Sequence, residues 1–168
     1  IQACTARVED IPDHDHYLRT RPRDYSPGML KGLIGSLLIS GGTYTTAQRI
    51  RRLIYEAFDQ AFTGIQLFVA PTIAFPAPTL EDLGRGVTKI DGKQIRLSDF
   101  RGNLFTLCTI PYNLMGLPAL NVCCGFSSSG LPIGMQIIGK PFDEGTVCQV
   151  GNAYEKAAGW YKRTPQLP

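Results

Sequence analysis

The sequence predicts an α/β protein. Amphipathic segments with apolar residues at helical spacing alternate with apolar runs that are too short to be helices. Gly, Pro and Ser punctuate the boundaries between them, as expected for turns. With 168 residues, of which 43% are hydrophobic and 18% are charged, the chain fits one globular domain that spans residues 1–168 and has no second domain.

The first part of the chain predicts a lead-in followed by two helices. Residues 1–25 are rich in Asp, Arg and Pro and predict an irregular or weakly helical lead-in. Ser26-Pro27 predicts a helix start, because it places a capping hydroxyl before a proline at the first helical position. Ser40-Gly41-Gly42 predicts the end of that helix. A second helix is predicted from Thr43 or Thr45 to Thr63-Gly64.

The middle of the chain predicts one strand, an insertion and a third helix. Leu67–Ala70 is short and apolar throughout, which is typical of a central strand covered on both faces. Pro71-Thr72 ends it. Residues 74–98 predict a variable surface insertion that contains a small hairpin around Asp91-Gly92. Ser98 or Asp99 is expected to cap a helix that ends before Pro111.

The last part predicts a strand pair and a final helix. Ala119–Cys123 and Ile133–Ile138 are short, apolar and partly β-branched, with a Gly/Ser-rich turn between them. Gly134 lies inside the second run and indicates a close backbone approach or a bulge. Asp143 is expected to cap the last helix, which ends at Ala158-Gly159.

Composition excludes several classes of function. A net charge of +3 is too small to indicate nucleic-acid binding, and no apolar run approaches the ~18 residues needed to cross a membrane. Five cysteines without a C-x-x-C pair favour reduced thiols in a cytoplasmic protein. His14-Asp15-His16 suggests a metal site only superficially, because no third histidine completes a ligand set, and a solvated polar loop is favoured. The chain begins with Ile1, which fits a fragment or a processed product.

Three motifs carry a resemblance to a known family. They are Thr109-x-Pro111-x-Asn113-x-x-Gly116-x-Pro118-Ala119, then Cys124-Gly125-Phe126, and then Leu131-Pro132-Ile133-Gly134-Met135-Gln136-Ile137-Ile138-Gly139. Together they resemble the C-terminal region of the amidase signature family. The match extends back through Ala47–Arg52 to Asp24–Gly28, and it is weakest over residues 1–20 and 80–97. Cys123 stands where the family usually has a proline.

The resemblance implies a fold and a reaction. The fold would be part of an α/β/α amidase-signature fold, a mixed β-sheet flanked by helices. The family hydrolyses carboxylic amide C–N bonds with a Ser–cis-Ser–Lys triad that lies upstream of the region matched here. No Gly-Gly-Ser-Ser-Gly-Gly stretch occurs in this chain. We therefore expect the C-terminal part of an amidase domain, inactive alone, with no catalytic residue among these 168 residues.

The resemblance also implies where substrate binds. Thr109, Tyr112 and Asn113, together with Pro71 and Thr72, would border the acyl side of a small-molecule amide. A structural role for the Asn113 side-chain amide is equally compatible with the sequence. In that role it would hydrogen-bond to backbone groups of the connector. No metal or cofactor is implied. The implied partner is the missing N-terminal catalytic portion, or a second copy of the chain.

Two nucleophile candidates are disfavoured, and two other functions stay open. Ser127–Ser129 resembles a nucleophile motif but lies where a turn is needed, and its spacing does not fit G-x-S-x-G. The cysteines lie mostly in apolar patterns where a thiol stays protonated, which disfavours a cysteine hydrolase. The alternative functions are a non-catalytic structural or binding fragment, and the amidase-like subunit of a glutamine-dependent amidotransferase.

Overall fold

The computed structural model describes residues 1–90, 92–97 and 104–164, with Ala3 and Leu104 described by their backbone alone. The chain packs as two compact units, Ile1–Ala61 and Phe62–Pro168. The α/β class is confirmed, with helices in both units and small antiparallel sheets in the second. Among the described residues, no helix combines the length and the apolar character that a membrane span requires.

The first unit is helical. Its helices are α1 (Gln2–Glu9), α2 (Ile11–Thr20), α3 (Pro27–Ser36) and α4 (Gly41–Ala61), with a 3-10 turn at Pro22–Asp24. The Glu9 carboxylate links α1 to α4, because its Oε1 accepts from the Tyr44 hydroxyl at 2.8 Å and from Gln48 Nε2 at 2.7 Å. Leu33 of α3 and Ala47 of α4 are buried.

Helix starts in this unit follow side-chain caps. Ser26 is the N-cap of α3, as predicted, and its Oγ accepts from the Met29 N–H at 3.3 Å. The prediction that Ser40-Gly41-Gly42 ends α3 is wrong, since α3 ends at Ser36 and Gly41 begins α4. The reason is that Ser40 Oγ accepts from the Thr43 N–H at 3.1 Å, which makes this serine a cap for the following helix.

The lead-in is more regular than its composition indicates. It folds into α1 and α2, and the His14-Asp15-His16 segment lies in α2 and not in a loop. His14 Nδ1 lies 2.9 Å from the Tyr25 hydroxyl, and Asp15 pairs with Arg19 one turn later at 3.0 Å. These local bonds stabilise a helix that has no buried residue of its own.

The second unit is built on a three-stranded antiparallel sheet. Its strands are β1 (Leu67–Pro71), β4 (Ala119–Phe126) and β5 (Pro132–Gly139), in the order β1-β5-β4. A separate hairpin pairs β2 (Val87–Ile90) with β3 (Lys93–Arg96). The helices are α5 (Leu80–Gly84), α6 (Ile110–Met115) and α7 (Glu144–Ala158), with 3-10 turns at Leu104–Thr106 and Trp160–Lys162.

Two expectations for this unit are corrected. Among the described residues β1 is an edge strand, with Val69 61% exposed, and the central strand is β5, whose Ile137 and Ile138 are buried. The helix expected to end before Pro111 instead begins at Ile110, where a proline in the first turn sacrifices no hydrogen bond. Ser98 and Asp99, its expected caps, lie outside the described residues, as does Asp91 of the predicted hairpin.

Helix α7 covers one face of the three-stranded sheet. Val122 of β4, Ile137 of β5 and Val147 of α7 form its buried core. The Asp143 carboxylate caps α7 as predicted, accepting from the Thr146 N–H at 3.4 Å and also from the Thr146 hydroxyl at 2.6 Å. Gly151 sets how closely the helix approaches, because a Cβ there would lie 2.2 Å from a terminal methyl of Leu120 on β4.

Candidate functional site

The face of the sheet opposite α7 carries polar side chains on neighbouring strands. In the strand register Gln136 of β5 lies between Ala70 of β1 and Asn121 of β4. Directly opposed residues share a face, and successive residues alternate between faces. Asn121 and Gln136 therefore project away from the Val122–Ile137 core, on a face that α7 does not cover.

A hydrogen bond between side chains crosses the central strand on this face. The Thr72 N–H donates to the Gly134 carbonyl at 3.1 Å, which extends the pairing of β1 with β5 by one residue. From there the Thr72 hydroxyl donates to Asn121 Oδ1 on β4. A Cβ on Gly134 would lie 2.7 Å from Asn121 Oδ1 and 3.1 Å from Thr72 Oγ1. The groups that come close to Gly134 are thus two side chains, and the missing Cβ leaves room for their bond.

Gln136 fastens two segments to the same face. Its residue is 4% exposed, and its Nε2 donates to the Pro71 carbonyl at 2.9 Å and to the Cys108 carbonyl at 2.8 Å. The first acceptor ends β1 and the second precedes α6. One buried amide therefore holds the Pro71-Thr72 connector and the segment that leads into α6 at fixed positions against the sheet.

An open cleft of about 490 Å³ lies beside the Thr72–Asn121 pair. Phe75 and Phe105 form its aromatic part, with ring centroids 5.2 Å apart in an edge-to-face arrangement. None of the described lining residues is charged. The lining consists of Thr72, Ile73, Ala74, Phe75, Pro76, Ala77, Pro78, Phe105, Asn121, Cys123, Pro132, Ile133 and Gly134. The arrangement suits an uncharged, largely apolar small molecule.

The structure places the five predicted substrate-binding residues in two groups. Thr72 lines the cleft, and Pro71 precedes it at the end of β1. Thr109, Tyr112 and Asn113 lie at the start of α6 and within it, and they do not line this cleft. The Gln136 amide is the contact that relates the two groups, because it binds Cys108 immediately before Thr109.

The three α6 residues differ in their surroundings. Thr109 is half-buried and its hydroxyl donates to the Thr106 carbonyl at 3.2 Å, within the turn that precedes the helix. Tyr112 is half-buried as well. Asn113 is exposed, and its side-chain amide hydrogen-bonds to no other described residue. The hydrogen bond from the Asn113 side chain to backbone groups of the connector is therefore not found among the described residues.

The nucleophile candidates take structural positions. Ser127–Ser129 lie in the turn between β4 and β5, where Ser127 Oγ accepts from the Leu131 N–H at 3.1 Å. All five cysteines are free thiols, and the Cys123 thiol, which lines the cleft, donates to the Gly125 carbonyl at 3.4 Å. Across the described ranges, no three His, Cys, Asp or Glu side chains are grouped to hold a metal ion.

Sequence reasoning did not single out Asn121 or Gln136. Each is a lone polar residue inside an apolar strand run, and that interruption is the signal that could have found them. A polar side chain on a half-buried strand needs a partner. Their partners, at Thr72 and Pro71, lie far away in sequence, so only the strand register brings them together.

Several known proteins are similar to this chain in sequence. The amidase family model matches residues 19–148. The A subunit of the Chloroflexus aggregans glutamyl-tRNA(Gln) amidotransferase is 39% identical over 157 residues, which are 89% of this chain and 29% of that protein. The corresponding subunit of a Cyanothece species is 40% identical over 156 residues, covering 90% of this chain and 30% of that protein.

Solved structures share the fold. The crystal structure of an amidase superposes with a TM-score of 0.75 at 24% identity, over 90% of this chain and 33% of that one. A bacterial aryl acylamidase of the amidase signature family superposes with a TM-score of 0.71 at 24% identity, over 95% and 33%. This chain thus spans about a third or less of the length of the proteins it matches. Its sequence and its fold place the chain in the amidase signature family.

Proposed function

We propose that these 168 residues form the C-terminal part of an amidase, an enzyme that hydrolyses the C–N bond of a carboxylic amide to an acid and ammonia or an amine. The observation that carries the proposal is the family match over residues 19–148. The nucleophilic serine, the cis-serine and the lysine then belong to polypeptide upstream of Ile1, and this chain supplies a wall of the substrate site.

The upstream triad would do the bond-making. Its serine adds to the amide carbonyl, the amine leaves with a proton from the relay, and water releases the acid from the acyl-enzyme. A non-catalytic role for the described residues is compatible with the structure, because the hydroxyls of Ser127 and Ser129 form hydrogen bonds within the turn between β4 and β5. No cofactor is needed for this sequence of steps.

The substrate-binding assignment stays a prediction at Pro71, Thr72, Thr109, Tyr112 and Asn113. It is supported by the position of Thr72 at an uncharged cleft. It is supported as well by the Gln136 amide, which ties the Pro71 carbonyl and the segment before Thr109 to one sheet face. The partner would be the N-terminal catalytic portion, and a cytoplasmic location stays a prediction from the cysteine composition.

A second candidate is the amidase-like subunit of a glutamine-dependent amidotransferase. It is favoured by relatives such as the Chloroflexus aggregans protein, a glutamyl-tRNA(Gln) amidotransferase subunit with 39% identity. Release of ammonia from glutamine only when partner subunits are added would favour this candidate. Hydrolysis of simple amides by the isolated polypeptide would favour the first.

The test uses the complete polypeptide that contains these residues. Ammonia release from phenylacetamide and hexanamide is measured for that polypeptide and for residues 1–168 alone. We expect turnover by the former and none by the latter, which would then act only as a structural or binding part. The proposal fails if the sequence upstream of Ile1 lacks a lysine followed by a Gly/Ser-rich double-serine motif, or if residues 1–168 alone turn over amides.

A further inference from the structure

Among the described residues that line the cleft, Thr72 and Asn121 are joined by a side-chain hydrogen bond. The other described lining residues are apolar apart from the Cys123 thiol, which is already directed to the Gly125 carbonyl. A ligand that fills the apolar part of the cleft would therefore form its hydrogen bond with this pair. Such a lining, with few polar groups in fixed places, is the usual composition of a small-molecule site.

The hydrogen bond leaves the donor half of the Asn121 amide unused. An asparagine side chain has an acceptor oxygen and an NH2 group with two donors. Asn121 Oδ1 accepts from the Thr72 hydroxyl, and the NH2 group hydrogen-bonds to no other described residue. Asn121 is exposed and lines the cleft, so the NH2 group is open to a ligand there.

The orientation of this amide is set by the backbone. Thr72 is held through its N–H, which donates to the Gly134 carbonyl at 3.1 Å. Its hydroxyl then reaches Asn121 Oδ1 across Gly134, where a Cβ would come within 2.7 Å of that oxygen. The amide oxygen is turned toward Thr72 and the NH2 group away from it. A donor fixed in this way loses little conformational freedom when a ligand binds.

We propose that the Asn121 NH2 group donates a hydrogen bond to an acceptor oxygen of a neutral amide whose apolar group occupies the cleft. Asn121 is then a specificity-determining residue and Thr72 its positioning residue; as a statement about substrate, this rests on the proposed amidase function. The absence of charge among the described lining residues disfavours ionic ligands. The volume of about 490 Å³ accommodates a small aryl or alkyl amide.

Binding is tested separately from turnover. The probe is N,N-dimethyl-2-phenylacetamide, which has an acceptor oxygen and an apolar ring but no N–H of its own, and its Kd for the complete polypeptide is measured by titration calorimetry. Asn121→Asp keeps an oxygen for the Thr72 hydroxyl and removes the donor. We expect its Kd to rise about tenfold, as for loss of one hydrogen bond that leaves a polar group unpaired. Asn121→Leu removes the donor without adding charge and should weaken binding to a similar extent.

The control is Asn152→Asp, the same change at an exposed position on α7, which packs on the other face of the sheet. It should leave the Kd unchanged. Thr72→Val tests the positioning step, because it removes the hydroxyl and preserves the volume. A rise in Kd of about threefold is expected, with recovery in Thr72→Ser. Thermal unfolding of each variant establishes that it is folded.

The outcomes separate the two proposals. Failure of the probe to bind the wild-type polypeptide overturns the Asn121 assignment, and so does an equal Kd for the wild type and both Asn121 variants. Hydrolysis of phenylacetamide is assayed independently. Binding that depends on Asn121 without any hydrolysis would contradict the amidase function and leave the assignment intact. Hydrolysis with a Kd insensitive to residue 121 would contradict the assignment alone.

Discussion

Replacing Gln136 with leucine tests whether one buried amide holds the site together. The change replaces the polar amide by an apolar side chain of similar size in the central strand and removes the bonds to the Pro71 and Cys108 carbonyls. Each bond contributes about 1 kcal/mol net, and a carbonyl that finds no water costs about 1–3 kcal/mol. Since Pro71 is exposed and Cys108 is half-buried, we expect a loss of about 2–4 kcal/mol of unfolding free energy.

The chain provides its own reporter for this measurement. Trp160 is the single tryptophan and packs edge-to-face on Phe126 of β4, with centroids 5.6 Å apart. Unfolding in urea is followed by the fluorescence of Trp160. With an m-value of about 2 kcal/mol/M, the expected loss of stability lowers the urea midpoint of Gln136→Leu by about 1–2 M relative to wild type. The control is Gln149→Leu on the exposed surface of α7. Equal midpoints for the two variants would refute the role given to Gln136.

A carboxyl group at the same position should make the unfolding free energy depend on pH. A carboxylate has no donor, and burial opposite two carbonyl oxygens would raise the pKa of the carboxyl introduced by Gln136→Glu above the ordinary glutamate value of about 4.3. A carboxyl whose pKa is higher in the folded than in the unfolded state stabilises the fold when it is protonated. That stabilisation is complete below the unfolded-state pKa, and it is lost as pH rises through the folded-state pKa. The deficit of Gln136→Glu relative to wild type should therefore be smaller at about pH 4 than at about pH 7. A constant deficit would contradict the predicted contact with the carbonyls.

Three further predictions concern other parts of the chain. Gly151→Ala should be less stable than Gly145→Ala by about 1–3 kcal/mol in thermal unfolding, because a Cβ meets β4 at the first position and open space at the second. The Arg19 guanidinium, hydrogen-bonded to Asp15, lowers the pKa of that carboxyl below its ordinary value. The small contribution of this pair to stability is therefore lost as pH falls through the folded pKa. An NMR titration of Asp15 should show a lowered midpoint that rises in Arg19→Gln. Replacing Ser127–Ser129 with alanines should leave kcat/KM for phenylacetamide within about twofold of wild type, because none of the three serines is among the described residues that line the cleft. Loss of turnover in a variant that still unfolds like the wild type would contradict the purely structural role given to these serines.

Local sequence signals predicted the elements that depend on local bonds. Ser26 and Asp143 begin their helices through hydroxyl and carboxylate caps, and both are readable because cap and first turn are adjacent in the chain. The same rule explains the error at Ser40-Gly41-Gly42. Gly and Ser are both stop and start signals, and the sequence alone does not say which helix the Ser40 hydroxyl serves.

The candidate site was predicted only in part because its contacts span distant segments. The end of an apolar run marks Pro71-Thr72 locally, and the family resemblance implies that it borders the substrate. Asn121 and Gln136 were not predicted, because their partners lie 49 and 65 residues away. The edge position of β1 likewise depends on which strands pair, and a short apolar run carries no information on its neighbours.

Two glycines determine how groups pack on the two faces of the sheet. On the apolar face Gly151 lets α7 approach until its backbone meets the Leu120 side chain, which closes the core around Val122 and Ile137. On the other face Gly134 leaves a gap in the central strand, and the Thr72–Asn121 bond occupies it. A side chain at Gly134 would push that pair apart and would turn the Asn121 amide from its fixed orientation. The polar character of the cleft therefore depends on the absence of one Cβ in β5, just as the close packing of α7 depends on the absence of another.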